Sequence, residues 1–185
     1  FDYANAESIY CRPLRLSDGQ NPERMAVPNE TEQLRVAFLP PMSGLAANEI
    51  RLDPGAINVR IGEGRTAEVL RNLCYQMTSQ SEDENSLWQK TCEQMKKLFG
   101  VKLDEPIYVL ERGEITMTYQ DAADVKLDLS SSGRGLQQTL LLLAYLAANP
   151  GTVILLDEPD AHLEILRQRQ IYELLVNSAR EQGIQ

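Results

Sequence analysis

The chain has 185 residues, 43% hydrophobic and 24% charged, which suits one domain with a real core and is too short for two comfortable ones. No apolar run approaches bilayer length, and Phe1-Asp2-Tyr3 opens without a basic-then-apolar leader, so no membrane role is expected and the expected compartment is the cytoplasm. A net charge of −9, with five lysines and thirteen scattered arginines, argues against a primary surface for nucleic-acid phosphates.

In chain order, residues 1–33 are polar and broken by Pro13, Pro22 and Pro28, which predicts loop with one short strand near Ile9–Leu16. Leu34 to Leu39 alternates and stops at Pro40-Pro41, as a strand entering a turn does. Residues 42–63 carry Gly44, Pro54, Gly55 and Gly62 and read as connecting structure. Thr66 to Gln80 places Ala67, Leu70, Leu73, Cys74 and Met77 at helical spacing with Thr66 as N-cap. A polar acidic loop, Ser81 to Asn85, leads to a second amphipathic helix, Ser86 to Phe99, closed by Gly100.

The period then changes. Ile107–Leu110, Ile115–Tyr119 and Val125–Leu129 read as short antiparallel strands with one wet face. A serine and glycine turn follows, and then a helix from about Leu136 to Ala148 that is apolar almost all round and therefore buried. Asn149-Pro150-Gly151 ends it. Thr152 to Leu156 is a continuous apolar run, as in a central parallel strand. The last helix, about His162 to Glu181, carries Leu163, Leu166, Tyr172, Leu175 and Ala179 along one side. Cys11, Cys74 and Cys92 form no CxxC pair and, with one histidine, no zinc set, so they read as reduced thiols.

Two segments carry chemistry. Val153–Leu156 ends in Asp157-Glu158-Pro159, and a buried strand in an open α/β sheet delivers acids to its carboxyl end, where such sheets bind ligands. Successive strand residues point to opposite sides, so the two acids have different tasks: one suits a hydrated Mg²⁺ on phosphates, the other an attacking water. One helix upstream, Leu129-Ser130-Ser131-Ser132-Gly133-Arg134-Gly135 opens a helix whose N-terminal N–H groups and dipole favour an anion. Taken alone, that turn is equally a capping turn; the order of turn, helix and acidic strand is what is specific.

Residues 129–164 resemble the signature motif, its helix, the Walker B strand and the D-loop of ABC-type ATPases, in the SMC-like, RecF-like and OLD-like branch often grouped as AAA family ATPases. Segments 36–44 and 61–77 are similar to members less specifically. The resemblance implies an α/β fold: a partial P-loop NTPase core of the ABC-ATPase kind, with a small helical insert and short antiparallel strands. It is expected as one partial domain: an N-terminal strand and loop part (1–63), a helical pair (64–100) and a signature and Walker B part (101–185). It also implies ATP and Mg²⁺ as ligands. Asp157 would hold the metal through water, and Glu158 would polarise the hydrolytic water. Asp160 and His162 would lie in the D-loop, touching a second protomer of a head-to-tail dimer. The serine turn would reach the γ-phosphate on that protomer. The signature serine can be Ser130, Ser131 or Ser132, and the glycine place can be Gly133 or Gly135.

The sequence departs from the pattern in two respects, the first being that it contains no Gly-Lys dipeptide, and so no lysine-bearing phosphate cradle. Gly62-Glu63-Gly64-Arg65-Thr66 is too short to replace it and reads as a capped turn. No histidine follows a strand beyond the acidic one. The chain is therefore expected to be a piece of a larger ATPase serving DNA repair or anti-phage defence, with DNA or a nuclease as partner. The alternatives are a degenerate ATPase fold used as a scaffold, and a metal-dependent hydrolase with Asp157, Glu158 and Asp160 as an oxygen cage.

Overall fold

The computed structural model describes residues 34–42, 44–79 and 86–185 in full, together with the backbone of four short N-terminal strands. Phe1–Arg35 and Val36–Gln185 are separate compact units. In the first, β1 (Asp2–Asn5) pairs antiparallel with β2 (Ser8–Tyr10), and β3 (Leu14–Arg15) with β4 (Glu23–Arg24). The strand expected over Ile9–Leu16 coincides with β2 and β3 at its ends, and residues 11–13 and 16 lie outside the described residues, as do Pro22, Pro28 and the acidic stretch 81–85. Strands of two to four residues are too short to show an alternating pattern, which is why a mostly loop reading missed the two hairpins.

The second unit runs β5 (Val36–Leu39), α1 (Pro54–Gly62), α2 (Leu70–Ser79), α3 (Leu87–Phe99), β6 (Lys102–Leu103), β7 (Ile107–Val109), β8 (Glu114–Thr116), β9 (Thr118–Gln120), β10 (Lys126–Asp128), α4 (Arg134–Ala148), β11 (Val153–Leu156) and α5 (Ile165–Glu181). Its centre is α4, where every residue from Leu136 to Ala147 is buried, as an all-round apolar helix requires. Helices α2, α3 and α5 pack on it. The sheet of β5 and β11 turns Ala37, Leu39, Ile154 and Leu156 into the same core, and the Tyr145 hydroxyl of α4 donates to the Phe38 carbonyl at 3.2 Å.

β11 pairs parallel with β5, from Val153 opposite Val36 to Leu156 opposite Leu39. On its other edge Ile154 N donates to Gln185 O at 2.8 Å and Gln185 N to Thr152 O at 3.2 Å, the bond pair of a parallel ladder. The parallel reading holds. Burial on both faces does not: Val36, Phe38 and Leu155 alternate out of the core and are 56%, 50% and 53% exposed. The inward half of the apolar run packs on α4, and the outward half has no layer over it among the described residues.

Residues 54–62, read as a connection, form a helix. Pro54 occupies the first turn, where its missing N–H costs nothing, and Ile57 and Ile61 are buried one turn apart. The two glycines that suggested a loop sit in its first and last turns. Thr66 is not an N-cap. It begins a 3-10 turn over Thr66–Glu68, and its hydroxyl donates to Pro41 O at 3.3 Å. The cap of α2 comes from far away in sequence. The Glu49 carboxylate accepts from Arg71 N at 2.9 Å and Asn72 N at 2.6 Å, taking two first-turn N–H groups that have no partner within the helix.

The second helix of the pair follows its sequence closely. Ser86 Oγ accepts from Gln89 N at 3.2 Å, and Gly100 closes the helix at φ 70°, a left-handed conformation that glycine adopts at low cost. Ser86→Ala is expected to lower stability by about 1 kcal/mol through loss of this cap. Urea denaturation checks it, and an unchanged midpoint would show that the cap contributes nothing.

The single strand read over Ile115–Tyr119 is two. β8 pairs with β7, whereas β9 pairs with β10 and β6 in a three-stranded antiparallel sheet. Met117, between them, is buried at 1% exposure. Its carbonyl accepts from Leu129 N at 3.0 Å, which carries this sheet directly into the serine turn.

Helix α5 begins at Ile165 rather than His162, because residues 158–163 make two tight turns first. The buried side runs through Ile171, Leu174, Leu175 and Ser178, while Leu166 and Tyr172, expected on it, are exposed. No helix among the described residues is long and apolar enough to cross a membrane.

Candidate functional site

Leu129–Ser131 forms one 3-10 turn that Asp128 caps from below. The Asp128 carboxylate accepts from Ser130 N at 2.8 Å and from the Ser130 hydroxyl at 2.6 Å. Ser131 Oγ donates to Asp128 O at 2.6 Å, and Ser132 Oγ to Leu129 O at 2.7 Å. All three hydroxyl protons are thus used within the turn. The donors facing outward are backbone groups: Leu136 N and Gln137 N bond to Gly133 O, whereas Gly133, Arg134 and Gly135 N–H have no acceptor among the described residues. Gly133 is the N-cap and has no side chain to cover them.

The two glycines are not equivalent. A Cβ on Gly133 would meet nothing within 4 Å, so the approach to the helix start is open. A Cβ on Gly135 would lie 3.0 Å from Leu163 Cδ2 and 3.2 Å from His162 O. Gly135 is therefore small because the 158–163 loop packs onto α4 at that point. Gly135→Val is expected to displace that loop and lower stability by roughly 1–3 kcal/mol through overpacking. Gly133→Ser should stay within about 0.5 kcal/mol of the parent, since serine is an acceptable N-cap. Equal urea midpoints for the two variants would contradict this packing.

The serine turn is held from two sides. Gln137, on α4 and 4% exposed, donates Nε2 to Ser132 O at 3.0 Å, with longer bonds to Leu129 O and Ser130 O at 3.3 and 3.4 Å. From α2, Arg71 is buried at 1% exposure. Its guanidinium donates to Ala46 O at 2.9 Å and to Asp128 Oδ1 at 3.0 Å, and lies 3.7 Å from the Glu49 carboxylate. Burial pushes the Asp128 carboxyl up, but the Ser130 hydroxyl and amide and the Arg71 charge outweigh it and leave it below the ordinary 3.8.

The acidic strand end is exposed. Asp157 N continues the ladder to Leu39 O at 3.1 Å, and the Asp157, Glu158, Asp160 and His162 side chains all reach solvent. Glu158 at φ 48° and His162 at φ 66° occupy the left-handed region, which non-glycine residues rarely adopt and which concentrates at functional sites. The loop is closed by Ala161 N on Glu158 O at 3.1 Å and Leu163 N on Asp160 O at 3.2 Å.

Ser132, Gly133, Arg134, Gly135 and His162 line one cleft of about 420 Å³ with Leu163 and Arg167. Asp160 lies instead on an apolar cleft of about 400 Å³ with Pro159, Ile171, Tyr172 and Leu175. Asp157 and Glu158 line neither. Among the described residues no three His, Cys, Asp or Glu side chains gather closely enough to hold a metal ion, so the oxygen cage of Asp157, Glu158 and Asp160 does not form. The strand ends at Leu156 and the backbone turns into the left-handed region at Glu158, so the three acids do not follow one regular element.

Glu49, Arg71, Asp128 and Gln137 were not singled out from the sequence. Arg71 gave a weak signal: it is a charge between Leu70 and Leu73 on the apolar stretch of α2. Gln137 gave another, as a polar residue opening an otherwise apolar helix.

Residues 63–185 match the family described as AAA domain, putative AbiEii toxin, Type IV TA system. The match covers most of the chain, and the chain belongs to this family of AAA-type ATPase domains. That places it in the P-loop NTPase class, with nucleotide binding of the ATPase kind and ATP with Mg²⁺ as the ligands typical of such domains. No curated protein and no solved structure matches the chain.

Proposed function

We propose that the chain supplies the signature turn, the Walker B acids and the D-loop of an ABC-type ATPase of the SMC, RecF and OLD-like branch, working as a head-to-tail dimer in DNA repair or anti-phage defence. One observation carries the reading. The serine turn and the 158–163 loop, 23 residues apart at their nearest in the candidate motif (Gly135 and Glu158), meet where Gly135 leaves room for His162 O and Leu163. The fit to a phosphate rests on the open N-cap at Gly133, the three unpaired N–H groups behind it and the adjacent Arg134.

Bound Mg-ATP supplies the phosphoanhydride bond and a metal to neutralise its charge. The residues of the chain have separate tasks. Asp157 holds the metal through water, and Glu158 accepts a proton from the attacking water. Gly133, Arg134 and Gly135, at the end of the Ser130–Ser132 turn, present their free N–H groups to the γ-phosphate of the facing protomer. Asp160 and His162 reach across to that protomer. Because the serine hydroxyl protons are directed inward, backbone N–H groups are the main donors here.

The test is Mg-ATP turnover. The 185-residue chain alone should hydrolyse at background rate, and the intact protein, with a glycine-rich lysine loop encoded upstream, well above it. Turnover by the isolated chain that Glu158→Gln abolishes would overturn the division of the site. An intact protein that neither binds nor hydrolyses ATP would make the fold a scaffold.

A further inference from the structure

A buried arginine normally serves a site or a register, because a well-packed apolar residue would stabilise a core at least as well. Arg71 is such a residue, and the described structure gives it one outlet toward the surface. Its guanidinium is fixed on the inner side by Ala46 O at 2.9 Å and by the Glu49 carboxylate at 3.7 Å. Glu49 is itself fixed by Asn72, whose Nδ2 donates to Glu49 Oε1 and to Ile50 O, both at 2.8 Å. On the outer side Arg71 donates to Asp128 Oδ1 at 3.0 Å, the same oxygen that accepts both the amide and the hydroxyl of Ser130.

The contacts form a chain from rigid to exposed: Glu49 and Asn72 hold Arg71, Arg71 holds Asp128, and Asp128 holds Ser130. Asp128 alone cannot fix the turn, because its side chain is 46% exposed and would otherwise sample several rotamers. A fork of donors in fixed geometry suits one carboxylate oxygen in one place, which a flexible lysine would not reproduce. The link also joins two elements distant in sequence, α2 of the helical pair and the turn that opens α4.

We propose that Arg71 is a positioning residue for the serine turn, acting through Asp128 to hold the Ser130–Gly133 backbone where it meets a phosphate. This rests on the reading of that turn as nucleotide-facing. Arg71 touches no ligand. It sets where the donors stand, so its loss lowers the rate of the step those donors assist and leaves ground-state nucleotide binding by other parts of the ATPase largely intact.

The test uses the intact ATPase with Arg71→Lys, Asp128→Ala and Asp128→Asn. Arg71→Lys and Asp128→Ala should each lower kcat at least tenfold with KM for ATP within twofold, and should speed amide exchange at Ser130 at least tenfold. Asp128→Asn keeps an oxygen for Ser130 N and for Arg71, and should return kcat to within threefold of the parent. Asp128→Ala changes a half-exposed side chain and keeps the test open if Arg71→Lys fails to fold. Parental kcat and parental Ser130 exchange in Asp128→Ala overturn the proposal, as does a loss of activity that only follows the fraction of folded protein. If the parent shows no ATP turnover, the functional reading fails, and Ser130 exchange then decides the positioning alone: a tenfold rise supports it and an unchanged rate overturns it.

Discussion

On the function proposed above, Glu158→Gln is expected to cut kcat for ATP roughly 10²–10⁴-fold, the usual worth of a positioned general base. Glutamine keeps the shape and the hydrogen-bonding oxygen but cannot take the proton of an attacking water. Glu158 is exposed and forms no hydrogen bond or ion pair through its side chain among the described residues, so stability should change by no more than about 0.5 kcal/mol. The left-handed backbone at φ 48° is unaffected, because both residues carry the same constraint there. Nucleotide affinity should therefore be retained while turnover is lost. Single-turnover hydrolysis beside equilibrium ATP binding separates the two, and a variant that keeps its rate would remove Glu158 from the chemistry.

Arg71→Met should be the most damaging substitution for the fold, costing about 3–5 kcal/mol. Methionine fills much of the volume, yet it leaves the Glu49 carboxylate with no exposed surface and no cation. Burial already pushes Glu49 above its ordinary 4.5, against the Arg71 and Asn72 donors that pull it down. A carboxyl raised in the folded state contributes stability that is complete below 4.5 and fades as pH rises through its folded value. Removing the guanidinium raises Glu49 further, so the deficit of the variant should widen toward neutral pH and narrow as pH falls toward 4.5. Urea midpoints at several pH values measure this, and a deficit independent of pH would show that the two groups are not coupled.

The parts of the fold that the sequence made legible are those in which local pattern and tertiary environment agree. Ser86 and Gly100 mark α3 by chemistry acting within one turn of the chain. The apolar circumference of α4 could only be buried, and it is. The candidate site is marked in the sequence by the order of serine turn, helix and acidic strand. What escaped was set from a distance. Thr66 looked like a cap because the true cap of α2, Glu49, is more than twenty residues upstream and reaches it only through the fold. Ile115, Met117 and Tyr119 are buried in unbroken alternation, so the pattern reads as one strand and does not record that the pairing partner changes at Met117. Gly133 and Gly135 are indistinguishable as letters. Only the approach of the His162 carbonyl tells the open one from the crowded one. Arg71 is the clearest case, since a single charge in a helix ordinarily means a solvated face.

The outward face of the two-stranded sheet bears on how the protein behaves as a solution. Val36, Phe38 and Leu155 form a short apolar strip that water wets and the core does not cover. A net charge of −9 keeps copies of the chain apart in dilute buffer. Added salt shortens the reach of that repulsion to roughly 3 Å at 1 M while leaving apolar attraction in place. The chain should therefore be most monodisperse at low ionic strength and should begin to cluster as salt is raised, and Leu155→Lys on the strip should delay that onset in light scattering.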